Sequence, residues 1–278
     1  MSTITLRVKT PPGFEVDGSP LAPAALAGMP LAALTRLALR AGDDTVTIGE
    51  LFDVSRSDTG ANTGDEEPTL VIEGDSHWLI RIGAGMERGT LRVLGKAGDY
   101  AGAQMRGGTL AIEGDAGHFA ACEMRGGRLN IAGNCGDFAA AARAGEMEGM
   151  TGGTLVIGGN AGERLADRMR RGLVTVGGNA GAFAASRLVA GTICVAGQVG
   201  EHYGYGMRRG TLVLAKAPAT LPATFAAGGR GFDVFWSLLV KSLASAAVRL
   251  PRLPADRLPQ RYAGDLAVDG RGEILIVA

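Results

Sequence analysis
Between Met86 and Lys216 the apolar positions of the chain fall into columns. The first is Met86, Met105, Met124, Met150, Met169, Leu188 and Met207, spaced by 19 residues except for one gap of 26. Five residues after each start come Leu91, Leu110, Leu129, Leu155, Val174, Ile193 and Leu212, and two further on Val93, Ile112, Ile131, Ile157, Val176, Val195 and Leu214. Apolar residues at alternate positions of a short run predict a strand with one side in a core. A unit this short cannot enclose a core alone, so the seven copies must bury their apolar faces against one another, as in a solenoid. Three inward side chains per copy make twenty-one. At roughly 1.5–3 kcal/mol for each full burial the gross driving force is large, and chain entropy of similar size opposes it.

Other columns repeat with the same spacing. Glycine recurs at Gly95, Gly114, Gly133, Gly159, Gly178 and Gly197, and again three residues later, from Gly98 to Gly200. Such regularity predicts corners with positive φ or close backbone approach. A polar column of Asp115, Asn134, Asn160, Asn179 and Gln198 predicts a ladder of side-chain amides running from rung to rung. An aromatic column, Tyr100, Phe119, Phe138, Phe183 and finally His202, is interrupted by Arg164. Such stacks need parallel neighbours in register. The expected fold is therefore mainly β: a parallel, expected right-handed β-helix of about seven to eight rungs, with rungs about 4.8 Å apart.

Outside the repeat the pattern changes. Thr3 to Val8 alternates as a strand, which Pro11, Pro12 and Gly13 end. An apolar helix-like stretch runs to Gly28, and Pro30 suits the first turn of a second helix through Leu31, Leu34, Leu37 and Leu39. Thr45 to Val54 reads as a strand and Ser55 to Pro68 as a polar surface loop. Thr69 to Gly74 forms one imperfect rung, expected to cap the stack. The seven extra residues of the long gap, Arg143 to Gly149, are expected to bulge from a corner, as a display site or as a neutral loop. Ala217 to Gly231 reads as a linker, and Phe232 to Val248 as a helix whose apolar face includes Phe232, Phe235 and Trp236. That helix is expected to cap the last rung or to dock a partner. Leu266 to Val277 looks like a hairpin. The chain thus divides into residues 1–68, a small N-terminal α+β module and loop; 69–216, the glycine-repeat β-helix; and 217–278, a C-terminal linker, helix and extended arm.

The Gly-x-x-Gly-x-x-x-Gly/Ala spacing, seen as Gly95, Gly98, Gly102 and as Gly197, Gly200, Gly204, resembles a known glycine-repeat β-helix. That domain is shared by the large subunit of glutamate synthase and the C subunit of formylmethanofuran dehydrogenase. In the rungs between, Ala121, Ala140, Ala166 and Ala185 take the third place, a sterically mild departure. The lead-in, with Gly28-Met29-Pro30-Leu31 and a closing Leu51-Phe52-Asp53-Val54, is similar to the N-terminal module of the C-subunit family of formylmethanofuran dehydrogenase. The aromatic helix and Pro-rich arm resemble the extension of its bacterial branch, which belongs to the formyltransferase/hydrolase complex of methylotrophs. The resemblance implies a non-catalytic scaffold in a complex that moves a formyl group between tetrahydromethanopterin and a methanofuran-type carrier and releases formate in formaldehyde oxidation. It implies as partners an amidohydrolase-like A subunit, a B subunit, and a formyltransferase D subunit. Two alternatives stay open: the C subunit of a tungsten- or molybdenum-dependent formylmethanofuran dehydrogenase, and a glutamate synthase-like spacer domain.

Composition narrows the chemistry. Forty-five glycines and 5% aromatics suit a thin-walled repeat better than a helical or Rossmann-type enzyme. The formal net charge is zero, so no general attraction to nucleic acid or membrane is implied. No apolar run reaches membrane-spanning length and no signal-peptide pattern opens the chain, so a cytoplasmic protein is expected. Cys122, Cys135 and Cys194 fall in different columns and His77, His118 and His202 do not cluster, which gives no catalytic or metal set. Gly83-Ala84-Gly85 lacks a surrounding βαβ pattern, and Gly-x-Ser-x-Gly, His-Glu-x-x-His and Cys-x-x-Cys are absent. What remains is basic. Arg106, Arg125, Arg170 and Arg208 each follow a start residue, and Arg88, Arg171 and Arg209 stand in the next column. With the start residue inward these arginines point out, either as a solvated or partner-facing wall or as a contact for a polyanion, such as the glutamate-rich tail that the resemblance implies for a methanofuran-type carrier. No cofactor is expected to be bound by this chain itself.

Overall fold
The computed structural model describes residues 2–58, 67–245 and 257–277. Eight parallel strands stack in sequence order: Thr69–Glu73, Thr90–Val93, Thr109–Ile112, Arg128–Ile131, Thr154–Ile157, Leu173–Val176, Thr192–Val195 and Thr211–Leu214. Register follows the repeat, with Leu110 beside Leu129 and Leu129 beside Leu155, so like residues lie over like. All twenty-one expected inward side chains are buried, the most accessible being Met86 at 3%. A second, narrower ladder runs from Ser76 through Ala97, Ala116, Cys135, Ala161 and Ala180 to Val199.

The repeating corners owe their shape to two constraints. A Cβ on Gly117 would sit 2.1 Å from Asp99 Oδ1, so this glycine column reflects close approach and not positive φ. The third place of the motif is left-handed instead: φ is 65° at Gly102, and 55° to 59° at Ala121, Ala140, Ala166 and Ala185. The alanines are therefore not the mild replacement they look in sequence. An L-residue there costs roughly 1–2 kcal/mol, offset because the N–H of Ala121 still bonds to Ala101 O of the rung before at 2.8 Å.

Both ends differ from expectation. Thr69–Glu73 is an ordinary rung, because Ser2–Val8 pairs with it in parallel and Phe52–Asp58 pairs antiparallel with Ser2–Val8 to form the edge. Sheet and core thus cross the boundary drawn at residue 68: Ile4, Leu6, Leu34 and Phe52 share one cluster with the rungs. Leu39 lies in a strand, Ala38–Ala41, and the second helix stops at Arg36. Ser55 to Asp58 belongs to the edge strand, residues 59–66 of the expected loop fall outside the described residues, and Glu67 and Pro68 lead into the first rung. At the other end Gly272–Ile276 continues the parallel stack beside Thr211–Leu214, followed by antiparallel Gln260–Gly264 and Ala226–Ala227. The expected hairpin over 266–277 is therefore displaced. Its first arm is a 3-10 turn, Leu266–Val268, and Gln260–Gly264 is the partner strand.

The C-terminal helix, Asp233–Ser245, does not cap the last rung. Buried Trp236 and Leu243 lie on the outer face of the sheet against Cys194, Val213 and Leu275. The last rungs offer apolar outward residues there, and a sheet face of that kind needs a cover.

Candidate interaction surfaces
Three features line the outside of the stack, and each grows from one repeated column. The polar column forms the expected ladder, mainly through the main chain. The N–H groups of Asn134, Asn160, Asn179 and Gln198 each donate to the side-chain oxygen one rung before, at 2.8 Å. A second ladder was not legible beforehand: Asp99 accepts from His118 N–H at 2.7 Å, and His118 Nδ1 accepts from Asp137 N–H at 3.0 Å. His118 is thus a structural acceptor.

The aromatic column stacks along the wall. Centroids are 5.0 Å apart for Tyr100 and Phe119 and 4.8 Å for Phe119 and Phe138. Arg164 continues the stack instead of breaking it, its guanidinium lying 4.7 Å from the Phe183 ring centroid and 5.9 Å from that of Phe138. His202 closes the stack over Phe183 at 4.9 Å.

The arginine row is exposed as expected but is not continuous. Main-chain bonding places Glu87, Arg106, Arg125, Thr151, Arg170, Val189 and Arg208 in one column, so Thr151 and Val189 separate the basic positions. Arg106 pairs with Glu87 at 3.0 Å and Arg170 with Glu148 at 2.8 Å. Arg125, Arg171, Arg208 and Arg209 have no ion pair among the described residues. Of the aromatic trio on the C-terminal helix, Trp236 is wholly buried in its own chain, Phe232 packs beside it under Arg261, and Phe235 remains exposed near Val234 and Leu238.

A further column, the residue before each start, holds polar side chains that the sequence reading passed over: Gln104 and the charged Glu123, Arg168 and Arg187. The insertion leaves the stack at this corner. Arg143 grips Glu123 of the preceding rung with two guanidinium bonds, 2.7 and 2.9 Å, and a main-chain one at 3.3 Å, and Gln104 adds a fourth at 2.8 Å. Burial raises the Glu123 pKa, but the bonds from Arg143 and Gln104 outweigh it and hold the carboxyl below its ordinary value. On the far side Arg168 donates to Glu146 O at 2.6 Å. The bulge is therefore tied down at both flanks. The three cysteines are free and buried, and burial pushes the thiols of Cys122 and Cys135 up to about 12. Among the described residues no three His, Cys, Asp or Glu side chains gather as a metal set.

With this geometry in place, the likeness to known proteins is specific. The GXGXG motif family matches residues 76–225, more than half of the chain. The C subunit of the formyltransferase/hydrolase complex Fhc of Methylorubrum extorquens strain AM1 is 42% identical over 98 residues, 35% of this chain and 33% of the relative. That alignment spans about a third of the relative's length. A chain in the X-ray crystal structure of the formyltransferase/hydrolase complex FhcABCD from Methylorubrum extorquens, in complex with methylofuran, is 41% identical with a TM-score of 0.89, and the match covers 99% of both chains. Repeat, lead-in and C-terminal arm are matched together, so the chain belongs to the GXGXG-motif family and, within it, to the C-subunit group of the formyltransferase/hydrolase complexes.

Proposed function
We propose that this chain is a non-catalytic scaffold of a formyltransferase/hydrolase complex, holding an amidohydrolase-like A subunit, a B subunit, and a formyltransferase D subunit in place. The complex would transfer a formyl group between tetrahydromethanopterin and a methanofuran-type carrier and release formate. The observation that carries this reading is the 99% coverage of both chains at 41% identity, because the ends are matched as well as the generic repeat. The outer wall supports it. Arg106 and Arg170 are occupied by Glu87 and Glu148, Arg125, Arg171, Arg208 and Arg209 stand exposed with no ion pair among the described residues, and the thiols are buried, which leaves a basic surface suited to contact. Free thiols throughout also suit a reducing compartment, and the cytoplasm is the proposed location. The breaks at Thr151 and Val189 favour local contacts of Arg125, Arg171, Arg208 and Arg209 with acidic partner surfaces over one unbroken track for a carrier tail. The isolated folded chain, assayed with a formyl donor, is expected to show no transfer or hydrolysis while still joining the other three subunits. Turnover comparable with that of the complex would overturn the scaffold reading.

A further inference from the structure
A groove of about 510 Å³ lies between the bulge and the C-terminal turn. Met147 on the bulge forms one rim and Val268, in the 3-10 turn between the last two strands, the other. Val189 forms the floor, with Arg170 on the rung before it and Arg208 on the rung after. Arg168, Arg187 and Tyr205 close the corner side. Met147 is 74% exposed, Tyr205 60% and Val268 44%, and the three stand around one depression, the kind of grouping that marks a contact site. Arginine, methionine and tyrosine are also the residues enriched where proteins meet.

The charges are partly spoken for. Arg187 is engaged by buried Asp167, and Arg170 by Glu148. Asp265 turns inward to accept from Gly206 N–H at 2.9 Å and Ala267 N–H at 3.0 Å. Arg208 has no carboxylate among the described residues, and Arg168 holds only a main-chain oxygen and the Met147 sulfur. Two cations thus await an anion beside an apolar floor. Arg168 and Arg208 stand on rungs two apart, a separation of at least about 10 Å. That is too long for one carboxylate and matches about three residues of extended chain at roughly 3.3 Å each. The rim is preformed, because Arg143 and Arg168 tie the bulge to neighbouring rungs, so little ordering cost attends binding.

We propose that this groove docks an extended acidic peptide segment from one of the other subunits, its carboxylates meeting Arg168 and Arg208 and an apolar side chain between them resting on Val189. The inference rests on the scaffold reading and names one of its contacts. The Val189 side chain lines the groove and takes part in no polar bond, so the sign of a charge placed there reads the ligand. Binding of the full chain to the other three subunits is measured at two salt concentrations. Val189→Glu is expected to weaken it about tenfold or more, Val189→Lys to leave it nearly unchanged, and Arg168→Gln with Arg208→Gln to weaken it about tenfold with a shallower salt dependence. A benzophenone side chain at Met147 in the assembled complex is expected to cross-link to an Asp- or Glu-rich segment of a partner. Equal effects of Val189→Glu and Val189→Lys, a cross-linked peptide without carboxylates, or loss of methylofuran retention with assembly of the complex intact would each overturn the docking site alone. Failure of the unaltered chain to join those subunits would overturn the scaffold reading and this contact with it.

Discussion

Leu129 and Ile131 point inward from the same four-residue strand whose Arg128 and Asn130 point out, and the two sides obey different rules. The inward columns hold only Leu, Val, Ile and Met over the repeated rungs, because each rung packs on a copy of itself above and below. The central outward column reads Arg92, Ala111, Asn130, Val156, Thr175, Cys194 and Val213, with Leu275 continuing it in the C-terminal strand. Its neighbour changes along the stack. Arg92 pairs with Glu113 in solvent, whereas Cys194, Val213 and Leu275 meet Trp236 of the helix. Inside, repetition is the requirement; outside, departure from repetition marks what each rung touches.

The largest expected effect lies inside. Ile131→Asp would bury an unpaired charge between two rungs and is expected to cost more than about 4 kcal/mol, collapsing several copies together in one thermal transition. An unchanged midpoint would mean that the inward columns are not a shared core. Next comes the covered outer face. Trp236→Ala is expected to cost about 3–5 kcal/mol and expose the helix to proteolysis, whereas Val156→Ala on the uncovered part should cost under about 1 kcal/mol. Similar costs at the two sites would dissolve the distinction between covered and uncovered rungs.

The smallest effect sharpens the comparison at the corner. Because the Glu123 carboxyl is held below its ordinary value in the folded chain, its stabilisation is present above the unfolded carboxylate value near pH 4 and is lost as pH falls through the folded one. Hydrogen exchange should show residues 143–149 losing protection in that acid window before the regular rungs do. Glu123→Gln should leave the bulge less protected at neutral pH and remove the pH dependence.

How far the site was legible follows from the same division. The arginines at Arg106 and Arg125 stand on neighbouring rungs as their spacing required. Their neighbours Thr151 and Val189 were equally visible, but only the bonded column shows that they break the row. Arg168 and Arg187 were missed although they precede a start residue at the regular spacing, because their column, Gly85, Gln104, Glu123, Gly149, Arg168, Arg187 and Gly206, has no constant chemistry. Trp236 read as a docking residue because an amphipathic helix does not reveal what it covers; the answer lay in Cys194 and Val213, outward residues of distant rungs. The end strands were misjudged for a related reason. Alternation identifies a strand, and says nothing of the edge to which it will add.

The sequence by itself determined the parallel stack, its register, the buried columns, the amide ladder and the corner at which the insertion leaves. Periodicity suffices there because every rung serves as the template for the next. Only the tertiary structure decided which outward residues the C-terminal helix covers, how Ser2–Val8 and Gly272–Ile276 close the two ends, and that Met147, Val189, Arg208 and Val268 border one groove. Those contacts join segments far apart in the chain with no common period, so their geometry exists only once the stack has formed.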